Sequence, residues 1–497
     1  AEEQAHAAQK LRRRALMLGA ALLLVVVLAG AALALGSQAS ANASTAEAER
    51  QVALAREVAA SALNNLATDP ERSILLALQA PLILNPGWFS HDELQWAARA
   101  AVTHFGDLPW LGWTDVHAFQ FRPLTFNLWL AISWLCFDRP WQMHALFVLL
   151  GSLNALLLAS VLRAAQIPAH TASAGAIVFC LSPSVVYVHA WVGTLADLLV
   201  MLAGLAALRL LQASAKASRG RLLAIAIALP ALIVAALLCK ESAVVLPVLL
   251  LAALYRHPHP RRAWALIGLA ALPVLVYLTL RLGILLDPAR AHSGYAWSLR
   301  NPPARLTEYL LYPFLPILEP SATLGKPLPW LLLAATCLAL VLGALAQRGW
   351  RWPFIWLGAI AVLFAPVLIL ATSYAQYAYL ASAAAVGIAA AAWPGLSRKT
   401  RIVLGGVIAI VIAHGVLVMA AMVRVGMIER NFSADLHALL ASDPPSLVIA
   451  AANDAKPWIL QRLLHDVPQY RPARLVQSGE RPDFFMQADG HLVPAMP

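Results

Sequence analysis

The chain is short of charge. Only 12% of its 497 residues are Asp, Glu, Lys or Arg, about half the share of a soluble globular protein. Acidic residues are the scarcer sign, 25 against 36 basic ones. So little charge beside 61% hydrophobic residues excludes a soluble enzyme, a disordered tail and a secreted disulfide scaffold. Cysteine is sparse too. Cys136, Cys180, Cys239 and Cys337 lie in or beside apolar runs, with no CxxC and no His-paired spacing, and read as small buried hydrophobes. There is no P-loop, GxGxxG or HExxH, so nucleotide-driven and zinc chemistry have no sequence support. No internal repeat is visible, which weighs against a transporter built from inverted halves.

What the sequence has is apolar length. Its mean hydropathy is +0.70, and spans of about 20 residues account for most of the chain. Apolar runs with almost no charge predict about eleven transmembrane helices, near 15–36, 143–164, 171–188, 193–212, 222–239, 242–255, 263–283, 329–346, 354–371, 378–394 and 402–422. The expected fold is an all-α polytopic membrane protein. The net charge of +11 does not point to nucleic acid, because the basic residues fill short loops. Lys10 and Arg12–Arg14 precede the first run. Arg209, Lys216, Arg219 and Arg221, then Arg256, Arg261 and Arg262, then Arg348 and Arg351, then Arg398, Lys399 and Arg401 fill later loops. Placing all of them in the cytoplasm fits the span count, with the N-terminus inside and the C-terminus outside. The first run, about 22 residues long, reads as a retained anchor rather than a cleaved signal.

Two stretches, 74–85 and 124–137, are too short for a comfortable span and read as interfacial helices. The resulting organisation is a basic N-terminus with the first span (1–36), an outer helical linker (37–80), a first outer loop (81–142), a transmembrane bundle (143–422) and an outer tail (423–497). The tail alternates apolar runs with Pro and charge, which fits either a small α/β subdomain or a partly ordered segment. The long loops fall on one face, so the work is expected outside, near the bilayer surface.

Ionisable residues at membrane depth are functional candidates by default. His91-Asp92-Glu93 follows a Pro-Gly turn and the pair Trp88-Phe89. The carboxylates suit a helix N-terminus behind Ser90, and equally a general base for an acceptor hydroxyl. Arg122 before Pro123 fits an anionic headgroup or a snorkelling side chain, and Asp115 lies just upstream. His189 and Trp191 are expected at the outer surface, where a lone His beside Trp is first an anchor. Asp197, inside the next run, should face the bundle. Lys240-Glu241 forms the apex of a hairpin whose second arm, about 14 residues at 1.5 Å each, is too short to span. The apex is expected below the outer surface, as a neutralised ion pair or a headgroup site. Arg281, Arg290, Arg300, Arg305 and Lys326 add outer cations. Tyr374, Tyr377 and Tyr379 crown a turn as an aromatic belt would.

In this order the motifs resemble bacterial GT-C type glycosyltransferases, above all the branch related to the TMTC and protein O-mannosyltransferase proteins, over about 85–422. HDELQW matches the acidic pair after the first span, and FRPL the family's YRPL. MHALFVLLGSLNALLLASVL matches its H-x-x-N helix, and AIVFCLSPSVVYVHAWVGTLADLLV its HP…W-x-x-G-R-x-D-L run. CKESAVVLPVLLL resembles the KE…P helix, and SYAQYAYLASAAAVG the RYxYLPS turn. Ser182 stands where His is usual, Thr194-Leu195 where Arg is common, and Ala375-Gln376 where an Arg is expected.

The resemblance implies inverting transfer of a sugar from a polyprenyl-phosphate donor, a co-substrate rather than a resident cofactor. It also implies a protein or glycan acceptor and a bacterial inner-membrane location. Asp92 becomes the base, with Glu93 second. Arg122, Lys240 and Arg281 would meet the donor phosphate. His91, Asp115, His189, Asp197, Glu241, Tyr374 and Tyr377 would surround the sugar or acceptor. No metal ligand set is implied. Residues 1–80 instead resemble the anchor-and-linker segment of WD-repeat signalling NTPases, without the ATPase or the repeats. The competing classes are a lipid or solute flippase and a membrane-anchored signalling scaffold.

Overall fold

The computed structural model describes residues 78–83, 103–108, 110–136, 140–254, 257–287, 296–442, 446–455, 457–464 and 472–495. The chain divides into two units, 1–84 and 85–497. Of the first, residues 78–83 are described and helical. The expected span at 15–36, residues 37–77 of the expected linker (37–80) and the acidic motif at 91–93 lie outside the described residues.

The second unit is a helical bundle. α1 (Pro123–Cys136) leads into α2 (Pro140–Ala164), α3 (Ala169–Cys180), α4 (Pro183–Ala190), α5 (Leu195–Ala213) and α6 (Arg219–Cys239). α7 (Pro260–Leu285), α8 (Pro302–Leu311), α9 (Leu328–Ala346), α10 (Arg351–Leu368), α11 (Tyr379–Ala392) and α12 (Arg398–Leu440) follow. Among the described residues eight helices are long and apolar enough to cross a membrane, or nine where α3 and α4, bent by 62°, are counted as one broken span. They correspond to nine of the expected runs. Leu181-Ser182 breaks α3 from α4 because Pro183 opens the next helix and cannot donate to the ladder of the previous one.

The expected span at 242–255 is not a regular helix. Glu241–Leu254 consists of two 3-10 stretches around four α-helical residues. The tighter winding draws the chain out, so this arm reaches about 26 Å at roughly 2.0 and 1.5 Å per residue rather than the expected 21 Å. The span expected at 402–422 is much longer. α12 runs unbroken for 43 residues, about 64 Å, twice a hydrocarbon core. Its second half, with Arg424, Glu429 and Arg430, is no longer purely apolar and carries the tail.

The tail is an α/β subdomain, so the expectation of an all-α chain holds only for the bundle. β1 (Leu447–Ala451) is central, pairing in parallel with β2 (Ala473–Leu475) and β3 (Phe484–Met486), while β4 (Leu492–Pro494) runs antiparallel to β3. α13 (Pro457–Leu464) connects β1 to β2. The β3–β4 turn docks on α12. Gly490, at φ +94, lies so close to the Ile428 carbonyl that a side chain has no room. Asn431 donates to the Asp489 carbonyl at 2.9 Å, and Asp435 accepts from the Leu492 N–H at 2.9 Å.

Within the bundle α12 crosses the break between α3 and α4 at Gly415, whose missing side chain admits the Leu181 carbonyl. The obstacle there is backbone, which cannot swing aside. Gly415→Ala is expected to destabilise the protein by about 1–3 kcal/mol, the usual cost of overpacking. A thermal melt in detergent checks it, and an unchanged midpoint contradicts the crossing.

All four cysteines are free. Cys180, Cys239 and Cys337 are buried as expected. Cys136, at the end of α1, is only half-buried.

Candidate functional site

α1 starts at Pro123, whose fixed φ suits a first helical position. Its buried face docks by two hydrogen bonds. Thr125 donates to the Cys239 carbonyl at 3.0 Å, and the Trp129 indole donates to the Val192 carbonyl at 3.1 Å. These bonds bring the start of α1, the end of α6 and the start of α5 to one place. Arg122, Lys240, Glu241 and Asp197 all belong to those three segments.

Lys240 leaves α6 in extended backbone, φ −162 and ψ 142. Extended backbone sends successive side chains to opposite sides, so Lys240 and Glu241 do not pair with each other. Lys240 donates to both Asp197 oxygens, at 2.6 and 2.7 Å. Glu241 accepts from Arg122 side-on, through Nε at 3.0 and 3.1 Å and Nη2 at 2.7 Å. The apex is thus neutralised, but by two partners distant in sequence. The Lys240–Asp197 pair has side-chain exposures of 7% and 10%, which places Asp197 in the bundle as expected. Arg122 and Lys240, expected as cations for a phosphate, each already face a carboxylate.

Arg281 is the third expected cation, and it is buried on α7. Its guanidinium donates to three carbonyls of the first loop: Val116, Ala118 at 2.7 Å and Phe119 at 3.1 Å. It also lies over the Phe121 ring, 5.3 Å from the centroid. Among the described residues no carboxylate pairs with it. Asp115 belongs to the loop that Arg281 holds, in an exposed turn closed by its N–H to the Gly112 carbonyl at 3.2 Å.

Tyr377 completes the wall, with Lys240 Nζ 5.0 Å from its ring centroid. Tyr374 packs edge-on against Tyr377 at 5.7 Å. Their turn is braced from α8 and the loop after it. Glu319 accepts from the Ala375 N–H at 3.0 Å, and the Tyr309 hydroxyl accepts from the Tyr374 N–H at 3.2 Å. Nearby, Arg305 pairs with Glu308 at 2.8 Å. Burial pushes the Glu308 carboxyl up, against the lowering effects of Ser373 and Arg305. Arg300 and Lys326 make no ion pair among the described residues, and Arg290 lies outside them.

Two expectations need correction. His189 is not at an outer surface but fully buried, because all eight residues of α4 fold back into the bundle after the bend. It meets the Tyr379 hydroxyl at 2.9 Å and packs against Gly151. Tyr379 is likewise no belt residue. It is fully buried and accepts from Asn154 at 3.1 Å. Asn154 also donates to the Leu198 carbonyl at 3.1 Å, beside Asp197. Nothing in the sequence joins His189, Tyr379 and Asn154 into one unit, although Asn154 is a polar residue inside an apolar run.

Four segments therefore carry the cluster: the FRPL start of α1, the CKE end of α6, the first turn of α5 with the turn before it, and the end of α7. Thr194 closes the turn before α5 by donating to the Val188 and Trp191 carbonyls at 2.6 Å. Among the described residues no group of three His, Cys, Asp or Glu side chains has the spacing to hold a metal ion. No family model, no curated protein and no solved structure matches this chain.

Proposed function

We propose that the chain is a membrane glycosyltransferase of the GT-C type, moving a sugar from a polyprenyl-phosphate donor to a protein or glycan acceptor on the outer face of a bacterial inner membrane. The observation that carries the reading is the convergence of Arg122, Glu241, Lys240, Asp197 and Arg281 from four distant segments at one end of the bundle. All but Arg281, on α7, belong to segments on which the sequence resembles that family. A structural role alone would be filled by apolar side chains at less risk, since buried ion pairs add little net stability.

In this reading the donor phosphate approaches the Arg281 guanidinium, with Arg122 and Lys240 held rigid by their carboxylates beside it. Preorganised cations of this kind favour departure of an anionic leaving group. Asp92 takes the proton of the acceptor hydroxyl, with Glu93 second, and His91 and Asp115 border the acceptor. Tyr374 and Tyr377 offer ring faces to the sugar. His189 belongs to the core network rather than to the ligand.

The test is mass spectrometry of the purified protein together with a transfer assay on polyprenyl-phosphate sugars. Co-purifying polyprenyl phosphate and release of the free lipid on adding acceptor are expected. Ordinary phospholipid alone, with no turnover of any polyprenyl-phosphate sugar offered, would overturn the reading.

A further inference from the structure

Two connections meet at the far end of the bundle. One joins α9 to α10, the other α11 to α12, and α10 and α11 run from there to the Tyr374–Tyr377 turn. Thr400 donates to Gln347 at 2.6 Å across the gap, and Ser397 caps α12 by accepting the Thr400 N–H at 3.2 Å. The Arg348 guanidinium crosses from one connection to the other and lies against Gly395.

Residues 346–355 and 393–403 hold Arg348, Arg351, Arg398, Lys399 and Arg401, all exposed, and not one Asp or Glu. The positive ends of α10 and α12 add to that field. Three of the five cations are fixed rather than free. Arg348 lies over the Trp352 ring at 5.7 Å, Arg351 over Trp350 at 5.8 Å, and Arg401 donates to the Leu396 carbonyl at 3.1 Å. Immediately along the two spans the surface turns apolar: Phe354 and Ile402 are each 66% exposed.

Charge level with exposed tryptophan, above apolar first turns of two membrane spans, is the profile of a lipid from headgroup to chain. A nucleic acid or an acidic protein would match the charge but not the apolar strip below it. We propose that this crease binds an anionic glycerophospholipid, its phosphate among Arg348, Arg398 and Arg401 and its acyl chains along the first turns of α10 and α12. The site is independent of the glycosyltransferase reading, because its residues lie at the other end of the bundle. Its role is to hold the two connections together from the leaflet that borders them.

The experiment is native mass spectrometry of detergent-purified protein titrated with phosphatidylglycerol and phosphatidylcholine. Preferential retention of phosphatidylglycerol is expected. Each cation near an anionic headgroup is worth about fivefold, so Arg348→Gln, Arg398→Gln and Arg401→Gln together should weaken retention about a hundredfold. A second variant with Arg219→Gln, Arg221→Gln and Arg261→Gln removes the same charge from other basic loops and should retain the lipid. A melt of each variant without added lipid shows whether it is folded. If the patch variant does not fold, Arg398→Gln alone, in an exposed position at the start of α12, is compared with Arg219→Gln. Equal retention of phosphatidylcholine, equal loss in both variants, or no loss in the patch variant would each overturn the proposal.

Discussion

Lys240→Met is expected to lower stability by about 3–5 kcal/mol, because it leaves the Asp197 carboxylate buried without its counter-charge. Asp197→Asn should cost a similar amount from the other side of the pair. The combination Asp197→Leu with Lys240→Met removes both charges. It should recover most of the loss, since well-packed apolar replacements for a buried pair are often neutral or stabilising. Thermal melts of the three variants in one detergent form the cycle. If the double variant is no more stable than the worse single one, the pair is coupled to Arg122 and Glu241 rather than acting alone. The same proteins also separate architecture from chemistry. A double variant that melts like wild type but transfers no sugar gives the charges a role beyond the fold.

The second large effect concerns Asp92, which lies outside the described residues. As the proposed base it touches the acceptor rather than the donor phosphate. Asp92→Asn should therefore reduce transfer by about 10²–10⁴ and leave donor binding near wild type. Glu93→Gln should cost far less. The measurement is a paired assay of sugar transfer and lipid-donor binding on the two variants. Near wild-type transfer by Asp92→Asn would move the base to Glu93 or Asp115, while a parallel loss of donor binding would give Asp92 a place in the donor site. Cysteine-accessibility labelling adds a check on sidedness. Positions 92 and 122 should label from the face opposite 219 and 398.

The sequence by itself determined where the chain is apolar, and so where its long helices lie. A run of some 20 residues without charge can hide its backbone polar groups in lipid only as a helix, and the eight long apolar helices among the described residues follow from that alone. The burial of Asp197 was legible for the same reason, since a carboxylate one turn inside such a run has nowhere favourable to point but the bundle.

Pairing was decided by tertiary structure. Lys240 and Glu241 are neighbours in sequence, yet the extended backbone between them aims one at Asp197 and the other at Arg122, 119 positions away. His189 reads as a surface anchor until the 62° bend at Leu181-Ser182 turns α4 inward onto Tyr379. A hydropathy pattern records how much apolar length there is but not the angle at a break. Contacts between distant segments depend on that angle, and so does the direction in which each buried charge finds its partner.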